Sequence, residues 1–600
     1  MTPRKIHIGQ YHHHYFFLFL TILFYTSPVV LWHSLNNALP TSDAVTYLSD
    51  AFESYINING PVSFLHHFYF DRGWRPQMFP KFALPFLFLS HGDALFTVAV
   101  VSIIFSLIFI VYLYLLLRLK LSPALSFLGC LYIGTCAYLF NYNLIFFSEV
   151  SYIAFIVAAF YHLLRSDYFA QPSQGAAAGI FFGLALCIRP AEATMFLPVI
   201  LYFALTCLQQ KKVTAAEIWA AVNLSLTTLL LLFYITYVIG FHKGFLLPFL
   251  ILIGFAIKLL RSCLRVQKYN FFIFILALNI VLFTYWLPSV PRLINWSIEA
   301  SVGDVVKSLG IASLPISALI GAVYDQWKSV LLPLFVFFPL ALLSKKRGNL
   351  LPSLTAPLLV SCLLMTVVTL IMFTSVVNDG QVARRTLSIV ILLCVFMFSF
   401  VMEESTKIRI IPVLGIGLIT VVSYLFIVSS VIHSTALSQA TLIHTLHADE
   451  LIAHTITLPD RRAEDKHITL MRILKENAKK YGLIGQNVSM ELVERGGKDS
   501  WDTFTGLLAA RIVQTPFHVV SVWVSKGQDS YEALNQKNAH FILVDDGEGL
   551  SDSELANASS VNGKFTASLI SEYRKKSFAR TKLVDVINVN GRKIVLLSYP

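Results

Sequence analysis

The chain has 600 residues, of which 56% are hydrophobic and 13% charged, with a formal net charge of +12. A soluble globular protein carries about 25% charged residues, so these values exclude an ordinary soluble enzyme, and equally a disordered or fibrous chain. The basic residues fall in short clusters between apolar runs, which is the positive-inside pattern of a multi-span membrane protein and excludes a nucleic-acid binder.

A lipid-crossing helix needs about 20 mostly apolar residues. On that criterion the chain reads as a polytopic α-helical membrane protein with about 13 spans. The first runs from Tyr15 to Leu35, followed by Asp93 to Arg118, Pro123 to Phe140 and Phe146 to Leu164. Two short apolar runs flank Arg189, Gly175 to Ile188 and Thr194 to Leu208. Next come Glu217 to Ile239, Phe245 to Leu260 and Phe271 to Leu287. The last four are Ser329 to Leu343, Leu351 to Val376, Thr386 to Val401 and Ile411 to Ile432. The clusters Arg4/Lys5, Arg118/Lys120, Arg165, Lys211/Lys212, Lys258 to Lys268, Lys345 to Arg347 and Lys407/Arg409 all fall on one face if the N-terminus is cytoplasmic. An odd number of spans then puts the C-terminus outside. The first apolar stretch is long and lacks a small-residue cleavage site, so it reads as a span and not as a cleaved signal.

The expected domains are a membrane part, residues 1–432, and a soluble extracytoplasmic α/β part, 433–600, where composition returns to soluble values. The loop 36–92 reads as short interfacial helices, with Ser42 as an N-cap. In the tail, Arg461 to Tyr481, Trp501 to Val513 and Lys564 to Lys576 read as helices. The segments NVSMELV, FHVVSVWV, HFILVDD, KLVDVINV and RKIVLLSY read as strands, the last two joined at an Asn-Gly turn. The seven cysteines lie in apolar runs without metal-ligand spacing.

The outer loop mixes Asp43, Asp71, Arg72, Arg75 and Lys81 with Tyr47 and Trp74. Carboxylates can take a proton from a hydroxyl nucleophile. Arginine can fork two hydrogen bonds onto phosphate, and aromatic rings can pack on sugar faces. The plainer reading is a solvated loop with interfacial anchors. Glu149 and Arg189 are sharper, because an ionisable group at membrane depth costs about 2.5 to 3.5 kcal/mol on insertion scales. Against function stands a structural ion pair. Arg384 and Arg385 follow an outer loop, against the positive-inside bias, and suit a phosphate site. His91 and Asp93 read as helix capping before metal binding, and His12 to His14 as an interfacial flank. No nucleotide-binding or hydrolase motif is present.

The order of these features resembles the polytopic glycosyltransferases of the GT-C fold, in the branch of protein O-mannosyltransferases and lipid A aminoarabinose transferases. The matching residues are Asp43 and Tyr47 in SDAVTYL, the run RGWRPQMFP closing the loop, Glu149 opening a span, and Arg189-Pro190 closing another. Ala44 follows Asp43 where many relatives carry a second acidic residue. The resemblance implies a polyprenyl-phosphate sugar donor drawn from the membrane lipid, and a lipid, glycan or protein acceptor on the outer face. It implies inversion at the anomeric carbon, with Asp43 as general base. Tyr47, Asp71, Arg72, Trp74, Arg75, Glu149, Arg189, Arg384 and Arg385 are the expected substrate-binding residues. No residue is assigned to a metal, although a divalent ion stays open as a cofactor. A bacterial inner membrane with a periplasmic tail is the expected setting; an endoplasmic reticulum membrane fits the same topology. A flippase for a lipid-linked saccharide is the main alternative. It should carry internal repeats and broken helices at the midplane in both halves, and no such repeat is visible. A non-catalytic scaffold would not need Glu149 and Arg189 at depth.

Overall fold

The computed structural model describes residues 8–40, 42–70, 78–167, 169–189, 197–210, 214, 217–228, 270–286, 327, 330–341, 386–402, 410–433, 465–491, 503–520, 530–546, 561–578, 580–589 and 592–599. The expected spans Phe245 to Leu260 and Leu351 to Val376 lie outside them. The first ten helices are α1 (Ile8–Leu35), α2 (Ser42–Asn57), α3 (Pro61–Phe70), α4 (Met78–Lys81), α5 (Leu84–Leu89), α6 (Ala94–Arg118), α7 (Pro123–Gly134), α8 (Ala137–Leu144), α9 (Ser148–Arg165) and α10 (Pro172–Ile188). Further apolar helices are Leu197–Gln209, Asn270–Trp286, Leu387–Val401 and Ile410–His433.

Among the described residues three helices are long and apolar enough to cross a membrane: His12–Leu35, Ala94–Arg118 and Ile410–Ile432. Along the last, Ile411, Leu414, Leu418, Val421 and Leu425 are all exposed at three- and four-residue spacing. An apolar stripe of that length suits lipid and not water. The chain is an integral membrane protein.

Pro123 to Phe140, expected as one span, is instead two helices bent by 77°. The break follows from Thr135 and Cys136. Thr135 closes α7, its hydroxyl and its N–H both donating to Leu131 O, and Cys136 adopts φ −57°, ψ 120°, outside the helical range. The bend brings Asn143 of α8 into a buried polar junction. Ser106 Oγ of α6 donates to Asn143 Oδ1 at 2.7 Å, and Asn143 Nδ2 donates to Tyr25 OH of α1 at 2.9 Å.

Helix α10 packs along Asn270–Trp286 through glycines four residues apart. A Cβ at Gly179 would strike the backbone carbonyl of Phe274, and one at Gly183 would meet Val281 at 2.9 Å. Small residues at this spacing let two membrane helices approach backbone to backbone, where dispersion replaces the missing hydrophobic drive.

The described chain falls into two compact units. One comprises Met1–Ser34, Leu65–Phe79 and Ala99–Leu458; the other comprises Leu35–Phe64, Pro80–Val98 and Pro459–Pro600. The second contains a five-stranded sheet of order β2-β1-β3-β5-β4. Its strands are β1 (Asn487–Glu491), β2 (His518–Val520), β3 (Ala539–Asp545), β4 (Lys582–Val589) and β5 (Arg592–Ser598). β2, β1 and β3 are parallel; β5 runs antiparallel to both β3 and β4. Central β3 carries the run Ile542, Leu543 and Val544, all buried, as a strand covered on both faces requires. Leu534, Phe565, Leu569, Ile570, Val595 and Leu597 complete this core. The helices Lys466–Glu476, Thr503–Val513, Ser530–Gln536 and Val561–Lys575 accompany it.

Asp465 begins the first of these helices. Its Oδ1 accepts from the N–H of His467 at 2.7 Å and from the His467 ring Nδ1 at 3.0 Å. Burial alone would raise this carboxyl. The His467 ring and backbone and the Leu39 N–H outweigh burial and hold it below its ordinary value. Further along, Tyr481 OH donates to Asp585 Oδ2 at 2.7 Å, tying the helix end at Gly482 (φ 72°) to β4. Burial, then this bond, pushes the tyrosine up to about 12.

Candidate functional site

The local sequence dictates how Glu149 and Arg189 meet. Helices α9 and α10 pack on each other and are joined by the short segment 166–171. A hairpin of this kind brings the start of the first helix to the end of the second. Glu149 lies in the first turn of α9. Arg189 is the residue after α10, where Pro190 pushes the chain out of the helical region, here to φ −139°, ψ 80°. Each charge sits at the helix end whose dipole suits it, the carboxylate at an N-terminus and the guanidinium at a C-terminus.

The two side chains form an ion pair, with Arg189 Nη2 donating to Glu149 Oε1 at 2.7 Å. Glu149 is wholly buried and the Arg189 side chain is 12% exposed. Arg189 Nε donates to Ser148 Oγ at 3.0 Å, and Ser148 Oγ donates to Glu149 Oε2 at 3.4 Å. The guanidinium plane is thus held by two neighbouring residues of one helix. Such a fixed cation can meet a phosphate with little further loss of side-chain freedom.

Ser148 is a member of this group that the sequence reading missed. Its only signal is adjacency to Glu149. A series of aromatic rings starts at Phe147, the residue before Ser148. Phe147 lies 5.9 Å from Tyr142, Tyr142 OH donates to Tyr138 OH at 3.1 Å, and Tyr138 lies 6.1 Å from buried Trp327.

Of the other expected site residues, Asp43 is the second residue of α2, and its helical backbone alone is described. Tyr47, one turn on, is buried. Asp71, Arg72, Trp74, Arg75, Arg384 and Arg385 lie outside the described residues. Asp93 Oδ1 accepts from Phe96 N at 2.9 Å, the capping role expected of it. Among the described residues no group of three His, Cys, Asp or Glu side chains could hold a metal ion. Cys130, Cys136, Cys187, Cys207 and Cys394 are buried and are not in disulfides.

Residues 75–237, which include α9, α10 and the Glu149–Arg189 pair, match the dolichyl-phosphate-mannose-protein mannosyltransferase family. No curated protein matches the chain in sequence. Among solved structures, the chain is similar to the oligosaccharyltransferase of Archaeoglobus fulgidus in its apo form. The TM-score is 0.50 at 13% identity, over 89% of this chain and 70% of that one. It is also similar to ArnT from Cupriavidus metallidurans in the apo state, with a TM-score of 0.47 at 9% identity over 96% and 97% of the two chains. The ArnT structure bound to undecaprenyl phosphate gives 0.48 and 11% over 96% and 98%. The fold is that of the GT-C glycosyltransferases, and the resemblance drawn from the sequence motifs is borne out.

Proposed function

We propose that the chain is a membrane glycosyltransferase that moves a sugar from a polyprenyl-phosphate donor to an acceptor hydroxyl on the extracytoplasmic face. The observation that carries this reading is the buried Glu149–Arg189 pair, which lies inside the segment matching mannosyltransferases that use a lipid-phosphate sugar. The absence of a nucleotide-binding motif agrees with it, because a lipid-phosphate donor is already activated. In this proposal residues 1–432 form the membrane domain, 433–600 the extracytoplasmic domain, and the N-terminus is cytoplasmic.

The reaction divides among few groups. Asp43 accepts the proton of the acceptor hydroxyl as its oxygen attacks the anomeric carbon. The bond from that carbon to the phosphate oxygen breaks on the opposite face, which inverts the configuration. The leaving phosphate gains charge as the bond opens. Arg189, oriented by Ser148 and Glu149, stabilises that charge, with Arg72, Arg75, Arg384 and Arg385 as further cations. Tyr47, Asp71 and Trp74 are proposed to line the sugar site.

The test is transfer in proteoliposomes from radiolabelled polyprenyl-phosphate sugars to membrane acceptors, comparing wild type with Asp43→Asn. Removing a general base costs about 10² to 10⁴ in rate. Label on an acceptor, lost in the variant by that factor, supports both enzyme and base. Label crossing the bilayer without a new covalent product would replace the transferase by a flippase. Undiminished transfer by the variant would move the base to another carboxylate, Asp71 or Glu149.

A further inference from the structure

We propose that the C-terminal segment clamps α2 at its start and along its second half and thereby sets the position of Asp43, with Asp465 and Arg511 as positioning residues. The inference rests on the transferase reading for its catalytic consequence, but the clamp itself stands on contacts within one compact unit.

The stretch before α2 contains backbone groups that a short loop cannot satisfy by itself. Two of them find partners more than 400 residues away. The N–H of Leu39 donates to Asp465 Oδ2 at 3.2 Å, across a sequence separation of 426. The carbonyl of Pro40 accepts from Thr505 Oγ1 at 3.0 Å, across a sequence separation of 465. Asp465 serves two elements at once, because its other oxygen caps the helix Lys466–Glu476.

The second half of α2 is held by one guanidinium. Arg511 Nη1 donates to the carbonyl of Ser49 at 3.1 Å and to its Oγ at 2.6 Å, and Nη2 donates to Glu53 Oε2 at 2.8 Å. These acceptors lie one helical turn apart, a span suited to the arginine fork. Between the two ends α2 packs on the helix Thr503–Val513, which supplies both Thr505 and Arg511, and buries Val45, Leu48, Ala51 and Phe52. The start of one helix meets the start of the other, and the two run side by side.

Position 43 falls between the clamps, three residues after Pro40 and six before Ser49. A base must lie within hydrogen-bond reach of the proton it takes, and a shift of about 1 Å at a reacting group can cost about 10²-fold. The tail therefore contributes to turnover without touching the substrate. A surface ion pair such as Arg511–Glu53 adds little to stability by itself. A guanidinium spread over a carbonyl, a hydroxyl and a carboxylate fixes geometry as well as charge.

The experiment uses the full chain in proteoliposomes with Arg511→Ala, Arg511→Lys and Asp465→Asn. The last keeps an N-cap side chain but loses one carboxylate oxygen, and with it one of the two anchored elements. Hydrogen exchange of the α2 amides should quicken about tenfold or more in Arg511→Ala and Asp465→Asn, while β3 amides keep their protection. Turnover should fall about 10- to 100-fold with KM for the donor nearly unchanged, and Arg511→Lys should recover part of it. In an Asp43→Asn background, Arg511→Ala should cost nothing further, because both act through one group. Unchanged exchange in α2 would overturn the clamp. A raised KM at constant kcat would overturn positioning in favour of substrate binding by the tail. Wild-type protein without transfer activity would overturn the transferase reading alone, since the exchange arm still decides the clamp.

Discussion

Glu149 and Asp465 invite comparison, because each is a buried carboxylate at the start of a helix, in a different compact unit. Asp465 is served mostly by backbone, the N–H groups of its own first turn and the distant N–H of Leu39, with a histidine two residues on. Its role is to join chain segments. Glu149 is served across helices, by a guanidinium 40 residues further along the chain. A carboxylate that only needs a cap does not require an arginine from another helix. The contrast separates a carboxylate that builds the fold from one that holds a second charged group in a chosen orientation.

The comparison breaks most visibly if Arg189 is removed. Arg189→Ala leaves Glu149 buried without its cation, and losing one partner of a buried pair costs about 3 to 5 kcal/mol. The unfolding midpoint in detergent should drop sharply, whereas Arg189→Met combined with Glu149→Leu should recover much of it without restoring transfer. If the double replacement kept activity, the pair would be structural, like Asp465. The next largest effect belongs to packing that neither carboxylate touches. Gly179→Leu forces α10 away from Asn270–Trp286, an overpacking that costs about 1 to 3 kcal/mol, and should lower the same midpoint. Because Arg189 follows the last residue of α10, this variant should also weaken donor binding, which an equilibrium titration with labelled polyprenyl phosphate reads directly.

The smallest effect concerns pH. The Asp465 carboxyl is held below its unfolded value of 3.8. Its contribution to stability is therefore full above that value and is lost as pH falls below it, through the lowered folded value. Hydrogen exchange of the Lys466–Glu476 amides between pH 5 and 3 should show protection falling at the acid end in wild type. The fall should be shallower in Asp465→Asn. A variant with the same slope would mean that another group governs the acid response.

Much of the fold was legible because hydrophobic periodicity reports local structure directly. The helix boundaries near Leu35, Arg118 and Ile188 and the tail strands fall close to the expected places. The bend at Thr135–Cys136 was not legible, since neither residue breaks an apolar run by composition; the side-chain bond from Thr135 to Leu131 O and the packing of α8 decide it. Glu149 and Arg189 stood out from the sequence as charges too costly to leave unexplained, but nothing in the sequence paired them. Asn143 and Tyr25 carried no signal, and Ser148 only its adjacency to Glu149, because a serine, an asparagine or a tyrosine in an apolar helix is common. Their meaning comes from partners on other helices.

The sequence by itself determined that the chain lies in a membrane, where several of its helices begin or end, and which charged groups interrupt its apolar runs. Those are local properties, set by transfer energy and by the backbone limits of proline and glycine. Only the tertiary structure decided which charge meets which. It joined Glu149 to Arg189 through an antiparallel helix pair, and it brought Asp465 and Thr505 to the entry of α2, and Arg511 to its second half, across more than 400 residues. Contacts of that separation depend on how whole elements pack, and no periodicity within one element encodes them.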